Sequence, residues 1–500
     1  MEGKRGNMIF YALAAVLMGA GIHLTQEYRF YNIAANELFL YDWADICGRL
    51  AKTGGLATVF SSFLSQFMHI PFVGTLIVTG IYMLAAWLLG RIGEKMTGGR
   101  LMKGLAFLPV VFLFLCLDND YYRFQGHSAY LMALTALYAY LSLPDDRTKL
   151  KYAVGILLIP LLYHLAGSVT AVFAVCIFIY EMIRGGLKGL AALIYPAAFL
   201  LTAFFYVEFS LVDSWEHALT PCMYYDWPST YMFPTYAWAS VPLLLILLWG
   251  LNRRVLELSE GRHLWVMAGC LAAALVLAGY LYAQVHSRSY YRLIQEQQWA
   301  YEEDWDRIIE TADRRQPNYL ISYLNLALAQ KGQLENRLGY YNPQPVSKVM
   351  YPTPNLKTGL TLQSTVYMAW GYVSAARQAA FDADMVTPGM HNPHQLKVLV
   401  LTNIVLESPQ VAEKYIGILE KTLFYRTWAR DMRKLIEDPA AAEKDETLAR
   451  LRRALPDGGN YVRYDGLKGD MRDMLAADPS NRILSQFHNA YLMLETLEER

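Results

Sequence analysis

Charged residues are scarce in this 500-residue chain, and they are unevenly spread. Only 18% of the residues are charged and 55% are hydrophobic, whereas about a quarter of a soluble domain is normally charged. Charges are sparse up to Gln284 and dense after Ser287. This split predicts two regions adapted to different solvents, a transmembrane domain over residues 1–285 and a soluble domain over residues 286–500.

Other absences exclude whole classes of function. The formal net charge is zero, and no basic stripe indicates a nucleic-acid partner. The five cysteines show neither a CxxC pair nor a Cys/His spacing typical of zinc sites. The P-loop, GxGxxG, GxSxG and HExxH motifs are missing as well. Any chemistry must therefore come from the membrane region, where ionisable residues are the informative ones.

Apolar stretches in the first region approach the length of about 20 residues that a helix needs to cross a bilayer. They lie at residues 8–24, 71–89, 105–117, 129–143, 152–165, 169–183, 190–209, 241–251 and 264–282. The first follows Lys4 and Arg5, as a signal peptide would, but it has no clear small-x-small cleavage site. We expect about nine spans, beginning with an uncleaved first helix.

The basic residues predict the orientation of these spans. One set of loops and span ends carries Lys4, Arg5, Arg91, Lys95, Arg100, Lys103, Arg147, Lys149, Lys151, Arg184, Lys188, Arg253, Arg254 and Arg262. The alternate set carries only Arg29, Arg49, Lys52 and Arg123. Because cytoplasmic loops are enriched in Lys and Arg, the N-terminus is predicted inside and the C-terminal domain outside. The expected fold is an all-α polytopic membrane bundle followed by a soluble helical domain.

The first outer loop, residues 25–70, is not a simple polar linker. Apolar and aromatic residues recur in it at helical spacing, first at Tyr28, Tyr31, Ile33, Leu38, Leu40 and Trp43, then at Leu56, Val59, Phe60, Phe63, Leu64 and Phe67. Both stretches are typical of amphipathic helices at a membrane surface. The segment 53–55 (Thr-Gly-Gly) predicts the turn between them.

The C-terminal region has the pattern of a helical repeat protein. The segment from Trp305 to Ala312 resembles the end of a tetratricopeptide repeat, and that from Tyr323 to Gly332 resembles the start of the next. Small-residue helix pairs follow at 366–388 and 396–432. We expect residues 286–500 to form a tetratricopeptide-like (TPR-like) α-solenoid outside the cytoplasm.

Glu27 begins the first candidate cluster. It follows span one, where partial desolvation raises the pKa of a carboxyl group and suits it to base catalysis. Arg29 could pair with it instead. The alternative interpretation is an interfacial helix whose aromatic residues lie at the headgroups.

A second cluster follows span three, at residues 118–127. Asp118 and Asp120 are suited to orienting a sugar or a phosphate or to holding a divalent cation, and Arg123 and His127 are suited to contacting a phosphate. The alternative is a solvated turn before span four.

The layout resembles that of membrane glycosyltransferases of the C type (GT-C). Their first outer loop is folded as amphipathic helices, with a catalytic carboxylate just after helix one and often an acidic motif in the next outer loop. In their arabinose- and mannose-transferring members the loop reads roughly acid-Glu, aromatic, Ala and acid-Trp. This chain has Gln26-Glu27, Tyr31, Ala34 and Asp42-Trp43, with Gln26 in place of the usual second acid.

This resemblance implies a glycosyltransferase that uses a polyprenyl-phosphate sugar. Catalytic roles would fall to Glu27, Asp118 and Asp120, and substrate-binding roles to Arg29, Asp42, Arg123 and His127. No cofactor is implied apart from an optional divalent cation.

The membrane region together with residues 325–332 and 419–429 resembles an uncharacterised family of Bacteroidota membrane proteins. That resemblance implies an inner-membrane location and a periplasmic C-terminus. The alternative function is a non-enzymatic membrane-anchored scaffold that binds periplasmic proteins or peptides. In both cases membrane lipid is a partner and nucleic acid is not.

Overall fold

The computed structural model describes residues 2–99, 101–144, 148–227, 232–250, 260–315, 317–341, 349–350, 356–387, 389, 391–456 and 466–498. Within these ranges the chain is helical, and the one extended pairing is an isolated antiparallel bridge between Tyr122 and Tyr225. The all-α prediction is therefore confirmed. The basic residues Arg100, Arg147, Arg253 and Arg254, used above to predict the orientation, lie outside the described ranges.

The chain divides into two compact units. The first contains Met1–Ala34 and Trp43–His286, and the second contains Ala35–Asp42 and Ser287–Arg500. The chain therefore passes between the units three times, and the short segment 35–42 belongs to the second unit. Each unit is described here by itself.

Long helices dominate the first unit. Its α-helices are α1 (Glu2–Asn36, shared with the second unit at its last two residues), α2 (Trp43–Leu50), α3 (Gly55–Ser65), α4 (Val73–Thr97), α5 (Met102–Leu105), α6 (Phe107–Cys116), α7 (Gln125–Leu141), α8 (Thr148–Ala166), α9 (Thr170–Gly185), α10 (Ile194–Glu208), α11 (Trp215–Leu219), α12 (Met232–Gly250) and α13 (Glu260–Val285). Two 3-10 helices, Gly186–Leu193 and Pro221–Tyr224, precede α10 and α12.

Six helices among the described residues are long and apolar enough to cross a membrane. They are Arg5–Asn36, Val73–Thr97, Lys149–Ala166, Gly189–Glu208, Met232–Gly250 and Arg262–Val285. The remaining three predicted spans fall on α6, α7 and α9, which have 10, 17 and 16 residues. The structure thus supports a membrane protein with about six spanning helices by length and composition.

Helix α4 lies at the centre of the first unit. Val78, Tyr82, Ala85 and Leu89, spaced at about one helical turn, are 0% exposed, and α4 packs against α6, α7 and α12. By contrast, α1 and α13 leave many large apolar residues at the surface, including Met8, Ile9, Val16, Leu24, Trp265 and Val276. Such a surface is unfavourable in water and favourable in hydrocarbon, as expected of spanning helices.

Helix α3, between α2 and α4, has two contrasting faces. Small residues are buried (Ala57, Ser61, Ser62 and Ser65), where α3 packs against α7 and α8. The large apolar residues predicted above lie on the other side, with Phe60 40% and Phe63 39% exposed. Small side chains permit close helix packing, so the aromatic face remains available to lipid.

Gly54 forms the turn between α2 and α3. Its φ of +72° lies in the left-handed region, and a Cβ there would come within 2.7 Å of the Gln125 amide nitrogen. Both features favour glycine. The backbone N–H of Gly54 donates to the His164 carbonyl oxygen at 2.8 Å, which fixes the turn against α8.

The second unit consists of shorter helices. They are α14 (Arg288–Tyr301), α15 (Trp305–Glu310), α16 (Ile321–Gln330), α17 (Leu334–Arg337), α18 (Leu356–Trp370), α19 (Val373–Met385), α20 (Pro393–Val405), α21 (Pro409–Glu420), α22 (Arg426–Glu437), α23 (Pro439–Lys444), α24 (Glu446–Arg453), α25 (Gly466–Ala477) and α26 (Arg482–Glu498). From α18 to α22, each helix packs against the next along the chain.

Segment 35–42 forms part of the core of the second unit. Leu38 and Leu40 are 6% and 5% exposed and join a cluster that includes Leu396 and Leu419. The Tyr41 N–H donates to the Lys421 carbonyl oxygen at 2.7 Å. The predicted interfacial stretch from Tyr28 to Trp43 is thus divided: its first part continues α1 to Asn36, and its apolar residues Leu38 and Leu40 are buried within the second unit.

Candidate functional site

A buried charged cluster in the first unit joins residues from both sequence motifs. Arg29 on α1 lies beside Asp118 and Asp120 in the turn after α6; its guanidinium is 3.5 Å from the Asp118 carboxylate and 3.7 Å from that of Asp120. The Arg29 side chain is 3% exposed and each aspartate side chain is 6% exposed. Arg29 also donates to the Asp118 backbone oxygen at 2.8 Å, so both charge and backbone fix the geometry.

Two further residues, Asn32 and His286, complete this cluster, and neither stands out in the sequence. The Asn32 amide donates to the Asp120 carboxylate at 2.6 Å. His286 Nδ1 lies 2.9 Å from Asp118 Oδ1. Asn32 lies three residues after Arg29 on the same helical face, which was the one available clue. His286 is 168 positions from Asp118, and no local pattern links the two.

An apolar cavity of about 180 Å³ adjoins the cluster. It lies between α1, α4, α6 and α13 and is lined by Met18, Gly21, Ile22, Thr25, Tyr82, Phe107, Val110, Val111, Phe114, Leu271, Ala274, Leu275, Ala278, Gly279 and Tyr282. The Tyr282 hydroxyl donates to the Thr25 carbonyl oxygen at 3.2 Å and lies 3.3 Å from His286 Nε2. Tyr282 therefore connects the cavity wall with the charged cluster.

Helix geometry explains why cavity and cluster are continuous. At 100° per residue, positions 18, 22, 25, 29 and 32 form one stripe along α1. The apolar part of the stripe lines the cavity, and Arg29 and Asn32, one to two turns later, bind the aspartates. One face of one helix thus changes from apolar to charged over about 10 Å.

Glu27 lies elsewhere on α1. Two residues before Arg29, it is about 200° away around the helix. Its side chain is half-buried and accepts a long hydrogen bond from the Tyr31 hydroxyl at 3.5 Å. It forms no ion pair with any described residue. The structure therefore brings Asp118 and Asp120 together with Arg29, whereas Glu27 lies on another side of the helix.

Gln26 is buried without a partner. Its side chain is 0% exposed, and neither the amide nitrogen nor the amide oxygen has a hydrogen-bond partner within the described part of the chain. Leaving a buried amide unsatisfied costs on the order of 1–3 kcal/mol. The polar side chain of Gln26 therefore lowers the stability of the fold.

Arg123 is held between two loops of the first unit. Its guanidinium is 3.4 Å from the Asp226 carboxylate and donates to the Met223 carbonyl oxygen at 2.5 Å. The Arg123 N–H donates to the Tyr224 carbonyl oxygen at 2.9 Å. These contacts join the turn after α6 to the loop before α12.

His127 is fully buried at the start of α7. Its Nε2 lies 2.9 Å from the Tyr82 hydroxyl and 3.1 Å from the Leu113 carbonyl oxygen. Tyr82 in turn lines the apolar cavity. The hydrogen bond to His127 therefore holds one side chain of the cavity wall in place.

Asp42 is in the second unit. Its carboxylate pairs with the Lys421 ammonium at 2.6 Å. The described residues include no group of three or more His, Cys, Asp or Glu side chains arranged to hold a metal ion.

Comparison with known families identifies the chain. The model of a family of unknown function (DUF6057) matches residues 4–496, so the chain belongs to that family. This confirms the prediction of an uncharacterised family extending over nearly the whole chain. No curated protein matches the chain, and no solved structure does.

Proposed function

We propose that this member of the family of unknown function is a GT-C-like glycosyltransferase that uses a polyprenyl-phosphate sugar at the outer face of a bacterial inner membrane. One observation carries the proposal: the buried cluster of Arg29, Asp118 and Asp120 continues the apolar cavity along one face of α1. A lipid-linked phosphate needs both environments side by side, because its chain is apolar and its head is charged.

The cluster supplies the groups that such a head requires. Arg29 is a bidentate donor suited to phosphate oxygens, and His286 lies beside Asp118. Because Arg29 and Asn32 hold the two aspartates, Asp118 and Asp120 are better suited to orienting a sugar than to accepting protons.

Glu27 is the proposed general base. It forms no ion pair within the described ranges, so its carboxylate can take the proton of the acceptor hydroxyl. The hydroxyl oxygen attacks the anomeric carbon, the bond from that carbon to the phosphate oxygen breaks, and polyprenyl phosphate leaves. Since Glu27 lies on another side of α1 from the cluster, the acceptor hydroxyl that it deprotonates must approach on that side of the helix, within hydrogen-bond distance of the carboxylate.

The membrane topology belongs to the same proposal. Nine spans require α6, α7 and α9 to cross with the six longer helices, and the alternation of basic loops supports this number. An odd number of spans with the N-terminus inside leaves the C-terminal TPR-like unit in the periplasm. Both acidic motifs follow outward-ending spans and would lie on that side.

Replacing the proposed base and an orienting carboxylate tests the enzyme. In cells whose own copy is deleted, Glu27→Gln and Asp118→Asn should fail to restore the cell-envelope glycans that the wild-type chain restores, as measured by mass spectrometry. Glu208→Gln is the matched control, because Glu208 is an exposed carboxylate at the end of α10. Normal glycans with Glu27→Gln and Asp118→Asn at wild-type membrane levels would contradict the proposal.

The alternative function is a non-enzymatic scaffold for periplasmic proteins or peptides. It is favoured by an open groove on the second unit, described below. Its test requires the full chain, because residues 287–500 alone lack Leu38 and Leu40 of that unit's core. If the scaffold is the function, Glu27→Gln should leave every phenotype of the chain unchanged.

A further inference from the structure

The second unit contains an open groove with a mixed lining. Its volume is about 520 Å³, within the range of roughly 300–1,000 Å³ typical of ligand pockets. It is lined by Ser374, Arg377, Gln378, Phe381, Leu399, Asn403, Ser408, Val411 and Tyr415, which lie on α19, α20, α21 and the loop before α21.

Helix α19 forms one wall of the groove. Ser374, Arg377, Gln378 and Phe381 are spaced at i, i+3, i+4 and i+7, which places them on one face of the helix. The face is about 10 Å long, since each residue adds about 1.5 Å. An extended chain covers this length with about three residues at roughly 3.3 Å each.

Arg377 gives the groove its charge. It is the one charged residue in the lining, and it forms no ion pair within the described part of the second unit. The carboxylate of Asp384, on the same helix, is engaged by the Asn392 N–H at 2.7 Å and by His391 at 3.7 Å. An unneutralised guanidinium in a concave site favours an anionic ligand.

Tyr415 lies close to this guanidinium. Burial raises the pKa of Tyr415 above its ordinary value, Asp384 adds to the rise and Arg377 opposes it. The Tyr415 hydroxyl therefore remains protonated at neutral pH and can donate to a ligand beside Arg377.

The remaining lining combines apolar surface with amides. Phe381 is 48% and Val411 36% exposed, so each offers apolar area to a ligand. Gln378 is exposed, whereas Asn403 is only 2% exposed and donates to the Leu399 carbonyl oxygen at 2.7 Å, so Gln378 is the amide that a ligand can reach. Amides of this kind match the alternating N–H and C=O groups of a peptide backbone.

We propose that the groove formed by α19, α20 and α21 binds an extended acidic peptide. The peptide carboxylate pairs with Arg377, its backbone meets Gln378, and an apolar residue packs on Phe381 and Val411. This site is independent of the proposed glycosyl transfer, because it lies entirely in the second unit.

A binding assay on the full-length protein in lipid nanodiscs tests the site. The probe is a fluorescein-labelled octapeptide of alternating leucine and glutamate, compared with peptides that carry glutamine or lysine at the glutamate positions. Fluorescence anisotropy should show the glutamate peptide binding at least tenfold more tightly than the glutamine peptide. Raising the salt concentration should weaken this preference.

Variants locate the binding. Arg377→Gln should weaken the glutamate peptide at least fivefold, Phe381→Ala should weaken both the glutamate and the glutamine peptides, and Arg377→Glu should shift the preference to the lysine peptide. Arg430→Gln is the matched control, since Arg430 is an exposed arginine on α22 outside the groove.

The outcomes separate this inference from the enzymatic one. Equal binding of the glutamate and glutamine peptides, binding insensitive to Arg377→Gln, or no peptide binding at all would overturn the groove proposal. Binding of the glutamate peptide by Glu27→Gln protein, with the same Arg377 dependence, supports the groove whether or not that variant transfers sugar.

Discussion

The two units accommodate their charged side chains in different ways. In the first unit, buried charges meet partners: Arg29 lies between two aspartates, and the Lys151 ammonium lies 3.2 Å from the Tyr180 hydroxyl and above the Tyr140 ring. In the second unit, an ion pair such as Lys421–Asp42 is partly exposed. The fully buried Glu296 pairs with Arg292 through one oxygen, and its other oxygen has no partner within the described residues.

This difference is the one expected if hydrocarbon surrounds the first unit and water surrounds the second. In hydrocarbon, water cannot solvate an unpaired charge, so a buried charge must be matched inside the protein. In a unit surrounded by water, surface pairs add little, and a buried carboxyl group can become neutral by taking up a proton. Three substitutions test the contrast.

The largest effect is expected for Arg29→Leu. The substitution leaves Asp118 and Asp120 buried without their cation, and breaking a buried pair in this way costs about 3–5 kcal/mol. Thermal unfolding of the detergent-solubilised protein should show a large loss of stability. Arg49→Leu is the control, because its partner Asp45 is 27% exposed and Arg49 is 17% exposed. Equal losses of stability for Arg29→Leu and Arg49→Leu would contradict the expectation that a buried ion pair matters more than a partly exposed one.

An intermediate, pH-dependent effect is expected for Glu296→Gln. Burial raises the pKa of Glu296 to about 8, and Arg292 opposes this rise. Arg292 donates to only one of the two carboxylate oxygens. Between the unfolded value of 4.5 and about 8, the folded state binds more protons. Unfolding free energy should therefore fall as the pH rises through this window, by up to about 1.4 kcal/mol per pH unit.

Glu296→Gln should remove this slope, so the variant should gain stability relative to wild type as the pH increases from 6 to 8. Thermal unfolding of the full chain at several pH values measures this gain in stability. Glu302→Gln, a variant of an exposed residue just after α14, should retain the wild-type slope. Parallel pH profiles of stability for Glu296→Gln and wild type would show that burial does not raise the pKa of Glu296.

The smallest effect is expected for Lys421→Gln. Its ion pair with Asp42 is 2.6 Å long, but the lysine is 49% exposed, and exposed pairs contribute about 0–1 kcal/mol. The backbone bond from Tyr41 to Lys421 remains. Leu40→Ala, which removes a buried side chain from the same segment, should cost about 2–5 kcal/mol by the same measurement. A larger loss with Lys421→Gln would mean that the charge, and not the apolar burial, holds segment 35–42.

Much of the site was predictable in its residue types and little in its pairings. Asp118, Asp120 and Arg29 stood out because charges are rare beside apolar stretches. Their pairing joins positions 89 apart, and His286 lies next to the predicted domain boundary, where a histidine gives no signal. The resemblance assigns Asp42 and Glu27 to one site, yet the fold places Asp42 beside Lys421, 379 positions away.

The first outer loop shows the same limit. Its apolar periodicity correctly indicated α3 and the turn at Gly54. The periodicity of residues 28–43 could not distinguish a membrane surface from the core of the second unit, because both bury one apolar face. The structure divides this stretch between α1 and segment 35–42.

The sequence by itself determined the helical class and the helices long and apolar enough to cross a membrane, because both depend on local composition, and the match to a family model over residues 4–496 determined the family. Only the tertiary structure decided that Arg29, Asp118, Asp120, Asn32 and His286 form one cluster beside an apolar cavity. It also decided that Glu27 lies on another side of α1. These relations depend on how helices distant in the chain pack together, and no local pattern of residues specifies that packing.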